Sequence, residues 1–222
     1  MFISSNVTGE IPDIIHNAEG LYEGDLMYYF RVIHKVRNIF APFHNLRHML
    51  HVFFMCHEAL RFYKKAGIPI DKMEARCLLI SALVHDANHT GMSDEDGLNI
   101  VIALRFLHNI YLGVDILNVP KIEQFVRWTE YPHKTPVRSM SLCGQILVDA
   151  DRTQALNPAW IQQCVGGLAQ EWNVTFIEAL RRNIDFHIKL SFETEWARAI
   201  FPPALVNSKV QEAERYLAAL EY

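Results

Sequence analysis

Leu78-Leu79-Ile80-Ser81-Ala82-Leu83-Val84-His85-Asp86 is the stretch on which the reading of this chain turns. The run from Asp71 to His85 is a strongly apolar helical pattern, with Asp71 placed to cap its start. It ends on an imidazole and a carboxylate, and His89-Thr90-Gly91 follows almost at once. A carboxylate leaving so apolar a helix is costly unless a cation meets it. Adjacent His and Asp cannot share a helical face. An ending last turn lets both converge, and Gly91 fits that ending.

Outward from this run the same periodicity repeats. Helical patterns cover Leu26 to Ile39, Asn45 to Lys65 (closed by Gly67), Pro120 to Thr129, Ser139 to Ala150, Pro158 to Trp172, Thr175 to Leu190 and Ser208 to Leu220. Ser93-Asp94-Glu95-Asp96 reads as the cap and acidic first turn of a helix to about Tyr111. Residues 131–136 form a loop, and Met1 to about Gly20 an irregular N-terminal arm. Alternating β-branched runs are scarce, and no repeat or linker interrupts the pattern. The expectation is an all-α, compact multi-helix bundle, with residues 1–222 forming a single domain.

The bulk properties narrow the function. The chain has 222 residues, half of them hydrophobic, and a formal net charge of −4. That balance provides no basic field for nucleic acid or an anionic membrane. Cys56, Cys77, Cys143 and Cys164 are far apart without C-x-x-C spacing, which argues against a structural zinc site or a disulfide framework. The N-terminus has Glu10 and Asp13 where a signal peptide needs an apolar stretch, and the longest apolar runs are too short to span a bilayer. A cytoplasmic protein is expected.

Histidine and carboxylate recur on three segments. His44 and His48 are four apart and share a face if the helix reaches back to His44, and His51 joins that face. Val52 and Met55 turn it inward, while His57 falls roughly opposite. Buried imidazoles need partners or a metal. Asp149 and Asp151 follow the apolar Ile146-Leu147-Val148. Mixed His and carboxylate ligation suits Zn, Fe, Mn or Mg, with positions left open for water. Water on such a cation becomes a nucleophile near neutral pH.

The order H…HD…D resembles the HD-domain superfamily of metal-dependent phosphohydrolases. Phe43-His44-Asn45-Leu46-Arg47-His48 looks like the Y-H-N-x-x-H motif of class I cyclic-nucleotide phosphodiesterases. His85-Asp86-Ala87-Asn88-His89-Thr90-Gly91 looks like their H-D-x-x-H-P-G motif, with Thr90 in place of Pro. Residues 129–133 and 147–151 resemble bacterial HD hydrolases carrying T-x-x-H before D-A-D. The resemblance covers roughly His44 to Asp151. It implies His48, His85, Asp86 and Asp151 as ligands of a first metal, with Asp86 able to bridge to a second. It makes His44 the proton donor to the leaving oxygen. His89 becomes a second-shell or second-metal residue, and Asp149 is kept beside it in that class. The late segment 184–194 only faintly echoes the purine-clamping Gln and Phe of those phosphodiesterases.

Four further residues are candidate substrate contacts: His51, His133, Arg47 and Arg152. His16, His34, His57, His108 and His187 read as structural or surface histidines. The sequence thus points to a phosphohydrolase with one or two divalent metal ions (Mg, Mn, Zn or Fe). Its substrate is expected to be a small nucleotide-like phosphomonoester or phosphodiester. Two alternatives use the same ligands: a di-iron oxygenase of HD type, and a non-catalytic metal-containing binding module.

Overall fold

The computed structural model describes residues 13–36, 41–91 and 96–221, and every regular element among them is helical. In chain order these are α1 (Met27–Ile33), α2 (Leu46–Lys65), α3 (Lys72–Val84), α4 (Asp96–Ile110) and α5 (Val119–Trp128). They continue with α6 (Leu142–Arg152), α7 (Gly166–Glu171), α8 (Phe176–Lys189), α9 (Glu195–Ile200) and α10 (Pro203–Leu220). Short 3₁₀ turns join several of them, and a π-helical turn, Ile161–Val165, leads into α7. The fold is the all-α bundle expected.

Helix α3 is its axis. The Asp71 carboxylate accepts from Met73 N and Glu74 N at 3.0 and 2.9 Å, so the first turn is capped. Every residue from Ala75 to Val84 is buried. A helix apolar all round belongs in the middle of a bundle, and α3 packs against α2, α5 and α6, with α1 and α4 beside it. Its buried Arg76 is met by Asp115 Oδ1 and Oδ2 at 2.7 and 2.9 Å. The Tyr29 hydroxyl donates to the same carboxylate at 2.7 Å. The ion pair is therefore fully hydrogen-bonded, the condition under which burying it is tolerable. Gly144 lets α6 lie on α5: a Cβ there would stand 2.4 Å from the Trp128 ring.

Beside this main core sits a smaller one. Trp160, Cys164, Val165, Ala169, Ala179, Leu180 and Ala213 join the π-helical turn, α7, α8 and α10, with Phe43 packed against them. The four cysteines are buried free thiols. No described helix is long and apolar enough to cross a membrane.

Several boundaries differ from the sequence reading. Helix α1 ends at Ile33, and residues 37–39 of the expected helix lie outside the described residues, as do 1–12 and the cap at 93–95. The arm is not wholly irregular, because residues 13–15 are helical and Ile14 and Ile15 are buried. The expected helix Pro158 to Trp172 changes register, running as the π-helical turn before α7. Helix α9 was not anticipated: six residues are too few for a helical period to show. Helix α10 starts at Pro203 rather than Ser208, using the fixed φ of proline in its first turn.

Candidate metal centre

The ends of α2, α3 and α6 meet at one point. Asn45 caps α2, its side chain accepting from Arg47 N and His48 N at 2.9 and 3.4 Å. That places His48 in the first turn, facing the core. Helix α3 stops at Val84, and tight turns follow: Ala87 N donates to Val84 O and His89 N to Asp86 O. This ending turn lets His85 and Asp86 point the same way despite being adjacent. Asp151 arrives from the last turn of α6.

His48 Nε2 lies 3.3 Å from His85 Nε2, 2.9 Å from Asp151 Oδ1 and 3.3 Å from Asp86 Oδ2. His85 Nε2 lies 3.4 Å from Asp86 Oδ2 and 3.5 Å from Asp151 Oδ1. These spacings suit one small cation. Ligand bonds of about 2.0–2.1 Å put neighbouring donor atoms roughly 2.9 to 3.4 Å apart in octahedral or tetrahedral geometry. The chemistry fits as well. His85 Nδ1 faces Ala82 O at 3.0 Å and His48 Nδ1 faces Gln154 Oε1 at 2.7 Å, so each ring can donate at Nδ1 and ligate through Nε2. The imidazoles are buried, whereas the Asp86 and Asp151 side chains keep 12% and 27% exposure, so the cluster opens to solvent on its carboxylate side.

Charge here demands a counterpart. Burial favours protonated carboxyls, but the surrounding imidazoles hold Asp86 below its ordinary value and Asp151 well below it. His85 responds in the opposite sense. Burial alone would depress it, yet Asp86, Asp151 and the Ala82 carbonyl push it up to about 9. Protons thus supply the positive charge that a divalent cation would supply in their place.

A second group flanks the first. His44 lies in the turn before α2, outside the helix, and its ring meets His48 edge-on at 5.8 Å between centroids. Its Nδ1 is 2.6 Å from Glu171 Oε2. Glu171 Oε1 accepts from Phe43 N and His44 N at 2.6 and 2.9 Å, and the carboxylate is wholly buried. Gly167 makes this reach possible. It sits one turn before Glu171 on the same face, and a Cβ there would crowd the Phe43 backbone at 3.1–3.2 Å. The His89 ring stacks on His44 at 3.9 Å, and its Nδ1 accepts from Gly91 N. Burial and the neighbouring His44 depress His89 to about 4, so it stays neutral. Burial would depress His44 too, but the Asp86, Glu171 and Asp151 carboxylates raise it overall. His44, His89 and Glu171 could by composition hold an ion. Glu171, however, already spends both oxygens on three N–H groups, so it serves as the hydrogen-bond partner of His44, on which His89 is stacked, rather than as a cradle.

The remaining predicted residues are placed elsewhere. Asp149 is not brought to the cluster: its carboxylate accepts from Glu193 N, Thr194 N and Thr194 Oγ1, securing the start of α9. His51 Nε2 faces Thr153 Oγ1 at 2.8 Å, and burial with nearby His48 pushes it down to about 3. His133 and Arg152 bond to each other, and Arg152 also reaches Ser191 O. Arg47 is exposed. Asp94 and Glu95 lie outside the described residues. Thr90 uses its difference from Pro: its N–H and hydroxyl both donate to Asn99 Oδ1, at 3.1 and 2.9 Å. Glu171 and Gln154 were missed by the sequence reading. Nothing local marks Glu171, while Gln154, three residues beyond Asp151, shares a helical face with it.

The turns that carry His44, His48, His85, Asp86 and His89 form one contiguous segment. Residues 43–111 match the 3′5′-cyclic nucleotide phosphodiesterase family model. The match takes in all five of these residues and covers roughly a third of the chain. Asp151, Gln154 and Glu171 come from outside the matched segment and meet these residues across the fold. Comparison with curated proteins and with solved structures found no match. The likeness to that family thus lies in the motifs of residues 43–111, while the described fold is all-helical and His48, His85 and Asp151 could hold a metal ion.

Proposed function

We propose that this chain is a metal-dependent phosphodiesterase acting on a small, cyclic-nucleotide-like phosphoester, with His44 as the acid. One juxtaposition carries the reading: His48, His85 and Asp151 lie close enough to hold a metal ion, with Asp86 beside them, and next to this cluster stands an imidazole whose pKa the carboxylates raise and whose Nδ1 a buried glutamate holds. A divalent cation, when bound, acidifies a water and offsets phosphoryl charge.

The chain's own groups do the rest. His48 and His85 offer Nε2, with Asp86 and Asp151 supplying negative charge. Glu171 holds His44 Nδ1, so the transferable proton is on Nε2. As the phosphorus–oxygen bond to the leaving group breaks, that proton passes to the departing oxygen, and neutral His44 remains bonded to ionised Glu171. His89, stacked and neutral, keeps the His44 ring from turning. A purely structural metal site has no use for a charged acid at its edge, which favours catalysis over a binding module.

The test is direct. Metal-stripped protein is reloaded singly with Mn, Mg, Zn or Fe and assayed on 3′5′-cyclic nucleotides, bis-p-nitrophenyl phosphate and p-nitrophenyl phosphate. The expected outcome is diester cleavage that vanishes in Asp86→Ala. His44→Asn should keep the metal and lose about 10²–10⁴ in kcat. Equal rates for wild type and Asp86→Ala on every substrate would sink the proposal. Iron-dependent oxygen consumption without ester cleavage would replace it with the oxidative reading.

A further inference from the structure

Behind His48 lies a run of three amides outside the chemistry described so far. His48 Nδ1 and Gln154 Oε1 are 2.7 Å apart, in residues 2% and 1% exposed. Gln154 Nε2 donates to Gln163 Oε1 at 3.1 Å, and Asn157 Nδ2 donates to the same oxygen at 3.0 Å. The π-helical turn Ile161–Val165 is what aims Gln163 at them. An amide has one donating end and one accepting end. Because the Gln163 oxygen already receives two donors, Gln154 turns its NH₂ there and presents its oxygen to His48. An oxygen only accepts, so the His48 proton sits on Nδ1. With a cation bound, Nε2 then offers it the lone pair on the side of His85, Asp86 and Asp151; without one, Nε2 faces the Asp151 carboxylate at 2.9 Å. His85 Nδ1 is held instead by a backbone carbonyl, Ala82 O, that no side-chain substitution removes. The His48 tautomer therefore depends on one replaceable side chain.

We propose that Gln154 is a positioning residue of the metal centre: its amide, clamped by Gln163 and Asn157, holds His48 as the Nδ1–H tautomer and so sets how tightly the cation binds. The inference rests on the metal-dependent reading above. It extends the site to the π-helical turn, which contributes no residue to the motif segment or to the ligand set.

Two measurements on the whole chain test it: Zn(II) affinity by chelator competition, and the ¹⁵N shifts of the His48 ring in metal-free protein. Gln154→Leu should weaken Zn(II) binding by about 10- to 100-fold and move His48 away from the Nδ1–H tautomer. Gln154→Glu keeps an acceptor and should restore both. Gln163→Leu frees the Gln154 amide to turn and should give a smaller loss of the same kind. Wild-type affinity and ring shifts in Gln154→Leu would overturn the proposal, as would a loss that Gln154→Glu does not rescue. Should Gln154→Leu fail to fold, Gln154→Glu and Gln163→Leu decide the matter by the same two readouts. A wild-type chain with no Zn(II) affinity defeats the metal-dependent reading instead, and the metal-free ring shifts then judge Gln154 separately.

Discussion

His44 and Glu171 are 127 residues apart in sequence and hydrogen-bonded at 2.6 Å in space. That distance explains what the sequence shows and hides. His44, His48, His85, Asp86 and His89 stand out because short turns and helix ends hold them at fixed local spacing. Glu171 sits in an ordinary helical stretch, and its role exists only once α7 packs on Phe43. The pair sets a testable pH dependence. Glu171 helps raise His44 above its ordinary value, so its removal must lower it. The acid form of His44 is lost on the alkaline side. The alkaline limb of the kcat/KM profile should therefore move to lower pH in Glu171→Gln, with metal content unchanged. An unmoved limb would show that Glu171 does not charge the imidazole.

Asp149 and Asp151 show what the level of the element adds. Two residues apart on α6, they point about 200° away from each other. Only Asp151 faces the cluster, while Asp149 is buried under the start of α9. The sequence reading made Asp151 the ligand but still kept Asp149 near the metals, because α9 is too short to be seen and its N-terminus is what claims Asp149. Their substitutions should part cleanly. Asp149→Asn leaves buried donors poorly met and should cost about 1–3 kcal/mol, read as a lower Tm with metal binding kept. Asp151→Asn should lose the metal and also lower the metal-free Tm near pH 7, since it removes the carboxylate that pairs with His48 and His85. Matching behaviour in the two variants would contradict the placement. The longer elements were legible for the opposite reason. Helices α2 and α3 announce themselves by Asn45, Asp71 and Gly67 as well as by period, so cap chemistry and burial agree.

At the scale of the molecule, burial sets how stability answers to pH. His51 and His89 are pushed down to about 3 and about 4, against roughly 6.5 in an unfolded chain. Their contribution is complete above about pH 6.5 and drains away as pH falls toward 4, because the unfolded chain then binds more protons. His85 runs the other way. Raised to about 9, it stabilises the metal-free chain below pH 6.5, and that gain is lost as pH climbs toward 9. Metal-free protein should thus be most stable near pH 6.5 in urea titrations run from pH 4 to 9. A cation displaces the proton on His85, so the loss toward pH 9 should disappear when metal is bound. A flat profile in both forms would refute the charge assignments.

The two cores have a bearing on how the protein fails. The ligands His48, His85 and Asp86 are rooted in the large one, whereas Phe43 and the helix bearing Glu171 pack with the small one. The seam between them runs between His44, the proposed acid, and the proposed metal cluster. Loosening the small core would leave a chain that holds its cation less tightly and has no proton for a leaving group. In rising urea, turnover should die first and the ion should leave later. Between the two midpoints the protein would be a metal carrier that has forgotten its reaction.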